Sequence, residues 1–95
     1  MQNEPELKID EDGNKYWYLN GLLHREDGPA IEYTDGTKRW FLYNCRHRED
    51  GPAIEFSNGN KSWYLNNNKY SFEEWLQQTP LSSQEKVKLR LQYED

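Results

Sequence analysis

The chain has 95 residues, of which 34% are hydrophobic and 15% aromatic, and its 17 acidic and 12 basic residues give a formal net charge of −5. This length fits one domain with one small core, which must be built largely from aromatic rings. The negative charge disfavours duplex DNA as a partner, the single Cys45 excludes an intrachain disulfide, and the polar start predicts a cytoplasmic protein with no membrane partner.

The first twelve residues predict a polar tail that contains a possible short strand over Leu7 to Asp10. Within one domain spanning 1–95, we expect this tail at 1–12, repeated hairpins at 13–66 and a helical cap at 67–95. The fold class that follows is mainly β: an antiparallel meander of hairpins with a short α-helical C-terminal cap.

A nine-residue segment, His-Arg-Glu-Asp-Gly-Pro-Ala-Ile-Glu, begins at His24 and recurs unchanged from His47. The same period of 23 residues relates Trp17 to Trp40 and Trp40 to Trp63. Such self-similarity is the signature of a repeat protein.

Asp12-Gly13, Asp35-Gly36 and Asn58-Gly59 occupy one repeat position, and each pair precedes a run of aromatic residues. An Asp-Gly or Asn-Gly pair between strands is typical of a two-residue type I′ hairpin turn. A two-residue turn at Asp35-Gly36 predicts that Ile31 lies opposite Trp40 and Glu32 opposite Arg39.

This register sorts the side chains into two faces. The core face then holds Ile31, Tyr33, Trp40 and Leu42 with their repeat equivalents Ile54, Phe56, Trp63 and Leu65, preceded by Trp17 and Leu19. The second face holds Ala30, Glu32, Arg39, Phe41 and Tyr43 with Ala53, Glu55, Ser62 and Tyr64, preceded by Tyr18. The first hairpin breaks the pattern, because the same counting sets Lys8 opposite Trp17, so either its turn is longer or its first strand is missing.

Loops over 20–28 and 44–51 connect the hairpins. Gly21, Asn44 and Asn67 share one repeat position, and Gly and Asn both tolerate a left-handed backbone. Successive units should therefore extend one antiparallel sheet and stack their His-Arg-Glu-Asp loops along one edge.

The C-terminal segment contains two capping boxes, Ser71 with Glu74 and Ser82 with Glu85, and Phe72, Trp75 and Leu76 follow helical spacing. Residues 83–93 support two interpretations. Capping and propensity favour a helix, whereas alternating Val87, Leu89, Leu91 and Tyr93 are typical of a strand.

The aromatic strand, Asp/Asn-Gly turn and Gly-containing loop over Gly13 to Leu65 resemble MORN-type repeats in their variant bacterial form. The His-Arg-Glu-Asp-Gly-Pro-Ala version, with the segment that begins at Tyr70, is similar to uncharacterised repeat proteins of bacteriophages and large DNA viruses. The resemblance implies a hairpin fold, a non-enzymatic binding role and, for a viral protein, a place in the host cytoplasm.

Two loops with the same donors suggest a ligand site. His24, Arg25, His47 and Arg48 would form a row of donors for a phosphate, and Tyr18, Phe41 and Tyr64 would offer rings for stacking a base. The resulting hypothesis is a homo-oligomeric sponge that captures a small phosphate-bearing ligand, such as a cyclic or linear nucleotide signal of host immunity, without a cofactor.

Two other interpretations compete with this one. In the first, the loops form a structural ladder, in which arginines and glutamates pair between repeats, Asp27 and Asp50 cap turns and the histidines pack beside tryptophan. Alternatively, the aromatic second face serves a protein–protein interaction module that acts as an inhibitor or adaptor. We expect no catalytic or metal-binding residues, since Cys45 and His47 lack an orienting third group and no spacing defines a ligand set.

Overall fold

The computed structural model describes residues 4–93, which form ten strands and two helices. The mainly β architecture of hairpins with a helical C-terminal cap is therefore confirmed. In chain order the elements are β1 (Glu6–Ile9), β2 (Lys15–Leu19), β3 (Leu22–Leu23), β4 (Ile31–Glu32), β5 (Lys38–Arg39), β6 (Phe41–Leu42), β7 (Cys45–Arg46), β8 (Ile54–Glu55), β9 (Lys61–Leu65), β10 (Asn68–Tyr70), α1 (Phe72–Gln78) and α2 (Ser83–Tyr93).

All strand pairs in the sheet are antiparallel, in the spatial order β1-β2-β4-β5-β8-β9-β10. Strand β3 pairs with β2, and β6 pairs with β7, so short hairpins extend from the sheet where the sequence predicted only loops. The sheet begins at β1, within the N-terminal stretch predicted to hold a strand, and continues through β10, inside the segment predicted as cap.

The Asp-Gly and Asn-Gly turns are one residue longer than predicted. The Tyr33 N–H donates to the Thr37 carbonyl at 2.9 Å, and the Gly36 N–H donates back to the Tyr33 carbonyl at 3.0 Å. Gly36 has φ +97°, whereas Asp35 is not among the positive-φ residues of the described chain. The turn is thus a type I turn closed by a glycine bulge, and the type I′ prediction is wrong for these positions.

The extra turn residue shifts the register by one position. Ile31 lies opposite Arg39 and Glu32 opposite Lys38, so the predicted pairing of Ile31 with Trp40 is wrong. Because a one-residue slip moves a strand's side chains to the other face, the predicted division of core and second face is wrong as well. In the first hairpin the same longer turn sets Leu7 opposite Trp17, which removes the conflict at Lys8.

Left-handed backbone occurs at the other ends of the hairpins. Tyr43 and Asn44 have φ of 49° and 67°, and Asn66 and Asn67 have φ of 50° and 71°. The left-handed conformation predicted for the position shared by Gly21, Asn44 and Asn67 is confirmed. These two-residue connections are the primed turns of the fold, and those at 20–21 and 43–44 each precede a His-Arg-Glu-Asp loop.

The C-terminal cap encloses the main core. Ser71 accepts from the Glu74 N–H and closes a capping box at the start of α1, which places Trp75 against Trp63 with ring centroids 4.6 Å apart. The core cluster consists of buried Trp63, Leu65, Trp75, Leu76 and Leu89.

Residues 83–93 are helical, so the strand interpretation is wrong and the capping argument holds. The alternating apolar residues do not share one face of this helix, because Leu89 is buried whereas Val87 and Leu91 are exposed. Within residues 4–93, neither helix has the length and apolar character needed to cross a membrane.

Candidate functional site

The two His-Arg-Glu-Asp loops lie side by side, as the repeat predicted, and together line a cavity of about 740 Å³. The start of α2 and the loop before it close one side through Glu85 and Leu81. The remaining lining residues are Arg25, Glu26, Asp27, Gly28, Trp40, Leu42, His47, Arg48, Glu49 and Asp50.

In the first loop, Arg25 is fixed by neighbours from its own repeat. Its Cζ lies 3.9 Å from the centre of the Trp17 ring, and its Nε donates to Asp27 Oδ1 at 3.0 Å. Its Nη1 donates to the Pro29 carbonyl and to Glu32 Oε2, both at 3.1 Å. The guanidinium is therefore stacked on a ring and neutralised by two carboxylates.

The second loop repeats this arrangement around Arg48. The Cζ lies 3.8 Å from the Trp40 ring centre, and Nε and Nη1 donate to Asp50 and Glu55, both at 2.9 Å. The Arg48 side chain is 19% exposed. The ladder interpretation expected pairing between repeats, with histidines beside tryptophan, but each arginine pairs within its own repeat and stacks on the tryptophan itself.

Each histidine adds a side-chain bond between neighbouring repeats. His24 Nδ1 accepts from the Tyr43 N–H at 3.0 Å, and His47 Nδ1 accepts from the Asn66 N–H at 2.9 Å. A backbone N–H can only donate, so Nδ1 is unprotonated and Nε2 carries the proton toward Glu26 or Glu49. Both ring nitrogens of each histidine are thus occupied within the protein.

The predicted donors and rings do not converge on one site. Arg25, His47 and Arg48 share the cavity, whereas His24 is 1% exposed and borders a smaller cavity with Pro5, Glu26 and Asp27. The three candidate rings, Tyr18, Phe41 and Tyr64, do not line the large cavity.

Each of these three residues makes a contact elsewhere in the structure. Tyr18 lies near the β1 edge with Lys8 Nζ 5.4 Å from its centre, and the Phe41 carbonyl accepts from the Arg25 N–H. Tyr64 is buried, and its hydroxyl accepts from Arg46. The loops and the rings therefore do not form a combined platform within one chain.

The cavity has an apolar floor under an acidic rim. Trp40, Leu42 and Leu81 supply the apolar surface. Hydrogen bonds to Ser82, first from its backbone N–H and then from its hydroxyl, lower the pKa of the Glu85 carboxyl. The acidic lining residues number five, against two arginines, and are Glu26, Asp27, Glu49, Asp50 and Glu85.

Sequence reasoning missed this floor and the contribution of α2. Trp40 was assigned to the core, yet it is only half-buried, and one side of its ring is covered by the Arg48 guanidinium. A short-range signal existed, since each Arg of the repeat follows a Trp by eight residues. Leu81 and Glu85 carry no such signal, because they reach the loops only through the docking of the cap.

That docking uses polar bonds to the backbone of the second loop. The Trp75 Nε1–H donates to the Arg48 carbonyl at 3.0 Å, and the Thr79 hydroxyl donates to the Glu49 carbonyl at 2.5 Å. The position of the acidic rim is therefore set by the helical cap as well as by the repeat.

Within the described residues, no group of three His, Cys, Asp or Glu side chains is arranged to hold a metal ion. Cys45 is half-buried in β7 opposite Leu42, and the hydrogen bonds of His47 run to Asn66 and Glu49. The geometry offers no activated Cys–His pair.

No protein-family model matches this chain, and no curated protein or solved structure matches it either.

Proposed function

We propose that this protein is a non-catalytic binding module that holds a basic segment of a partner protein in the cavity between its two loops. The observation that carries the proposal is the combination of an apolar floor, at Trp40, Leu42 and Leu81, with the carboxylate rim above it. A lysine or arginine side chain suits such a site because its aliphatic stem packs on apolar surface while its charged head stays among carboxylates.

The charge balance of the cavity supports a cationic ligand over an anionic one. Each loop arginine already donates to two carboxylates, so its charge is largely compensated. An added phosphate would meet Glu26, Asp27, Glu49 and Asp50 at the same opening, and like charges repel at short range. Electrostatic complementarity therefore favours a positively charged partner.

The test is a titration of intrinsic tryptophan fluorescence with short lysine- and arginine-rich peptides, compared with glutamate-rich peptides of equal length. We expect binding of the basic peptides only, with an affinity that falls as salt is raised. The double variant Glu26→Gln, Glu49→Gln should weaken binding several-fold, since it removes two charges while each amide oxygen still accepts from its histidine.

A matched control carries the same change in charge outside the cavity, Glu11→Gln with Asp12→Asn in the exposed first turn. This control should bind as the wild type does. Equal loss of binding in both double variants would show that net charge alone attracts the peptides, and failure of every basic peptide to bind would refute the proposal.

A second candidate function is capture of a phosphate-bearing ligand, such as a nucleotide immune signal, by a viral protein of the MORN-like type. The observation in its favour is that both loop arginines border one cavity, and among the described residues Nη2 of each has no hydrogen-bond partner. A thermal-shift panel of mononucleotides and cyclic oligonucleotides tests it, because a ligand that binds only the folded state raises Tm. A rise in Tm that Glu26→Gln, Glu49→Gln enhances would favour this candidate over the basic peptide.

A further inference from the structure

The outermost strand β1 presents an open hydrogen-bonding edge. It pairs with β2 on one side, and within residues 4–93 no strand lies on its other side. The Asp10 N–H donates to the Asn14 carbonyl, so the backbone groups of Asp10 point toward β2. Because this direction alternates along an antiparallel strand, the backbone groups of Lys8 and Glu6 also point toward β2. The N–H and C=O groups of Leu7 and Ile9 therefore point outward, away from the sheet.

The side chains of this edge are divided between the two faces. Leu7, opposite Trp17, and Ile9 project to one face and are 44% and 58% exposed. Glu6 and Lys8 project to the other face, where their charged groups lie 4.0 Å apart. A row of free backbone groups flanked by exposed apolar side chains is a template for pairing with another strand.

The opposite edge of the sheet differs in this respect. Strand β10 has exposed Asn68 and Lys69, and its Tyr70 packs against the main core. α1 follows directly after Ser71 and packs against β9. The two ends of the sheet are thus unequal: among the residues that the structure describes, exposed apolar side chains accompany the open backbone groups at β1 and not at β10.

We propose that β1 pairs antiparallel with β1 of a second copy of this chain, about a two-fold axis at Leu7. In this register the outward N–H and C=O of Leu7 bond reciprocally with the partner's Leu7, and the Ile9 N–H donates to the partner's Pro5 carbonyl. Pro5 has no N–H to donate in return, so this pair makes one backbone bond instead of two and the Ile9 carbonyl stays open to water. The two sheets then become continuous through the paired edges.

Charge selects this register over its neighbour. With the axis at Leu7, Glu6 lies opposite the partner's Lys8, and the symmetry repeats this attractive pair. With the axis at Lys8, the two copies of Lys8 oppose each other, which is repulsive. Asp10 faces an acidic residue of the partner in both registers, Glu4 or Glu6, so the difference lies in the pairs that Lys8 makes. The number of backbone bonds is the same in the two registers, so the cross-strand charges decide between them.

The proposal does not depend on the cavity ligand, since β1 contributes no residue to the cavity between the loops. It concerns the self-association of the full chain, which sedimentation equilibrium measures without any ligand. We expect a monomer–dimer equilibrium from 11.5 kDa to twice that mass within the micromolar to millimolar range.

Charge reversals identify the register. Glu6→Lys sets two lysines opposite each other and should weaken dimerisation at least several-fold, whereas Glu6→Lys combined with Lys8→Glu restores opposite charges and should restore the dimer. An axis at Lys8 predicts the reverse for Glu6→Lys, because the new lysine would face the partner's Asp10. Lys69→Glu, on the opposite edge, is the matched control and should leave dimerisation unchanged.

Crosslinking provides a second readout that does not depend on affinity. In a Cys45→Ser background, Leu7→Cys should form an interchain disulfide on oxidation, because facing residues of a hydrogen-bonded pair have Cα atoms about 5.5 Å apart, within disulfide range. Lys8→Cys should crosslink far less.

The proposal is overturned by a monomer mass throughout the concentration range, by a dimer that Glu6→Lys leaves unchanged, or by preferential crosslinking through position 8.

Discussion

Replacing Gly51 with alanine tests whether the arginine of each loop holds the repeat together. Gly51 is buried, and a Cβ atom built there would lie 2.7 Å from Cζ of Arg48. Its φ is not in the left-handed region, so its backbone accepts alanine without strain. The guanidinium is therefore the group that must move, and its shift weakens or breaks the bonds to its partners.

Two opposing effects set the magnitude. Gly→Ala at a compatible backbone position stabilises by about 0.4–1 kcal/mol, because it restricts the unfolded chain. Displacing the guanidinium costs about 1 kcal/mol for the bond to Pro52 O, about 1 kcal/mol for the half-buried pair with Glu55, and about 0.5–1 kcal/mol for stacking on Trp40. The exposed Asp50 adds little, so the net loss is about 2 kcal/mol.

Urea unfolding followed by tryptophan fluorescence measures this difference as a lower midpoint at an unchanged m value. Gly28→Ala is a matched comparison with the same chemistry in the other loop. Its Cβ would lie 3.0 Å from Cζ of Arg25, so a smaller displacement and a smaller loss are expected.

A double-mutant cycle isolates the cause. In an Arg48→Ala background, the same Gly51→Ala change should become neutral or stabilising, because the obstructing group is gone. If Gly51→Ala raises the midpoint in the otherwise unaltered protein, the guanidinium is not held tightly and our account of the loop is wrong.

Two further predictions concern the hairpin turns. Gly36→Val should destabilise by about 1 kcal/mol or more, because Gly36 has φ +97° and open space beside it, so backbone strain alone opposes valine; an unchanged urea midpoint would contradict this. Asp35 has a lowered pKa, chiefly because the Thr37 N–H donates to its carboxylate. The stability that this bond contributes is present above the unfolded pKa of about 3.9 and is lost as the pH falls through the lower folded pKa. Asp35→Asn should therefore have the same free energy of unfolding as the wild type at neutral pH and lose less of it as the pH falls, because its amide oxygen still accepts the bond. Asn58 makes this same bond in the next repeat. An identical loss of stability in acid would refute the prediction.

The sequence was sufficient to predict the mainly β class, the antiparallel hairpins and the helical cap. Each of these depends on short-range signals, such as the 23-residue period and the Ser71–Glu74 capping box. The register could not be obtained in the same way, because Asp-Gly suits both a two-residue turn and a three-residue turn with a glycine bulge. The mismatch of Lys8 with Trp17 was the one available indication that the turn was longer.

The site was predicted only in part, for a related reason. The loops were correctly expected to lie together, since identical segments in a stacked repeat must be neighbours. The partners of each arginine were not predictable from the motif alone. Glu32, for example, lies seven residues after Arg25 and reaches it only because the chain folds back between them. Likewise, the placement of Leu81 depends on the docking of Trp75 and Thr79, which no local pattern specifies.

The direction of the histidine bonds has a consequence for how the protein opens. The histidine of each loop accepts a hydrogen bond from a backbone N–H of the following unit. At the C-terminal end of the sheet, Trp63 is enclosed by Phe72, Trp75 and Tyr93. Trp17 is only half-buried and has exposed Leu7 opposite it. Local unfolding should therefore begin at β1 and advance toward β9, with amide exchange slowest in the last unit. A second copy bound at β1 would protect the weaker end of this gradient.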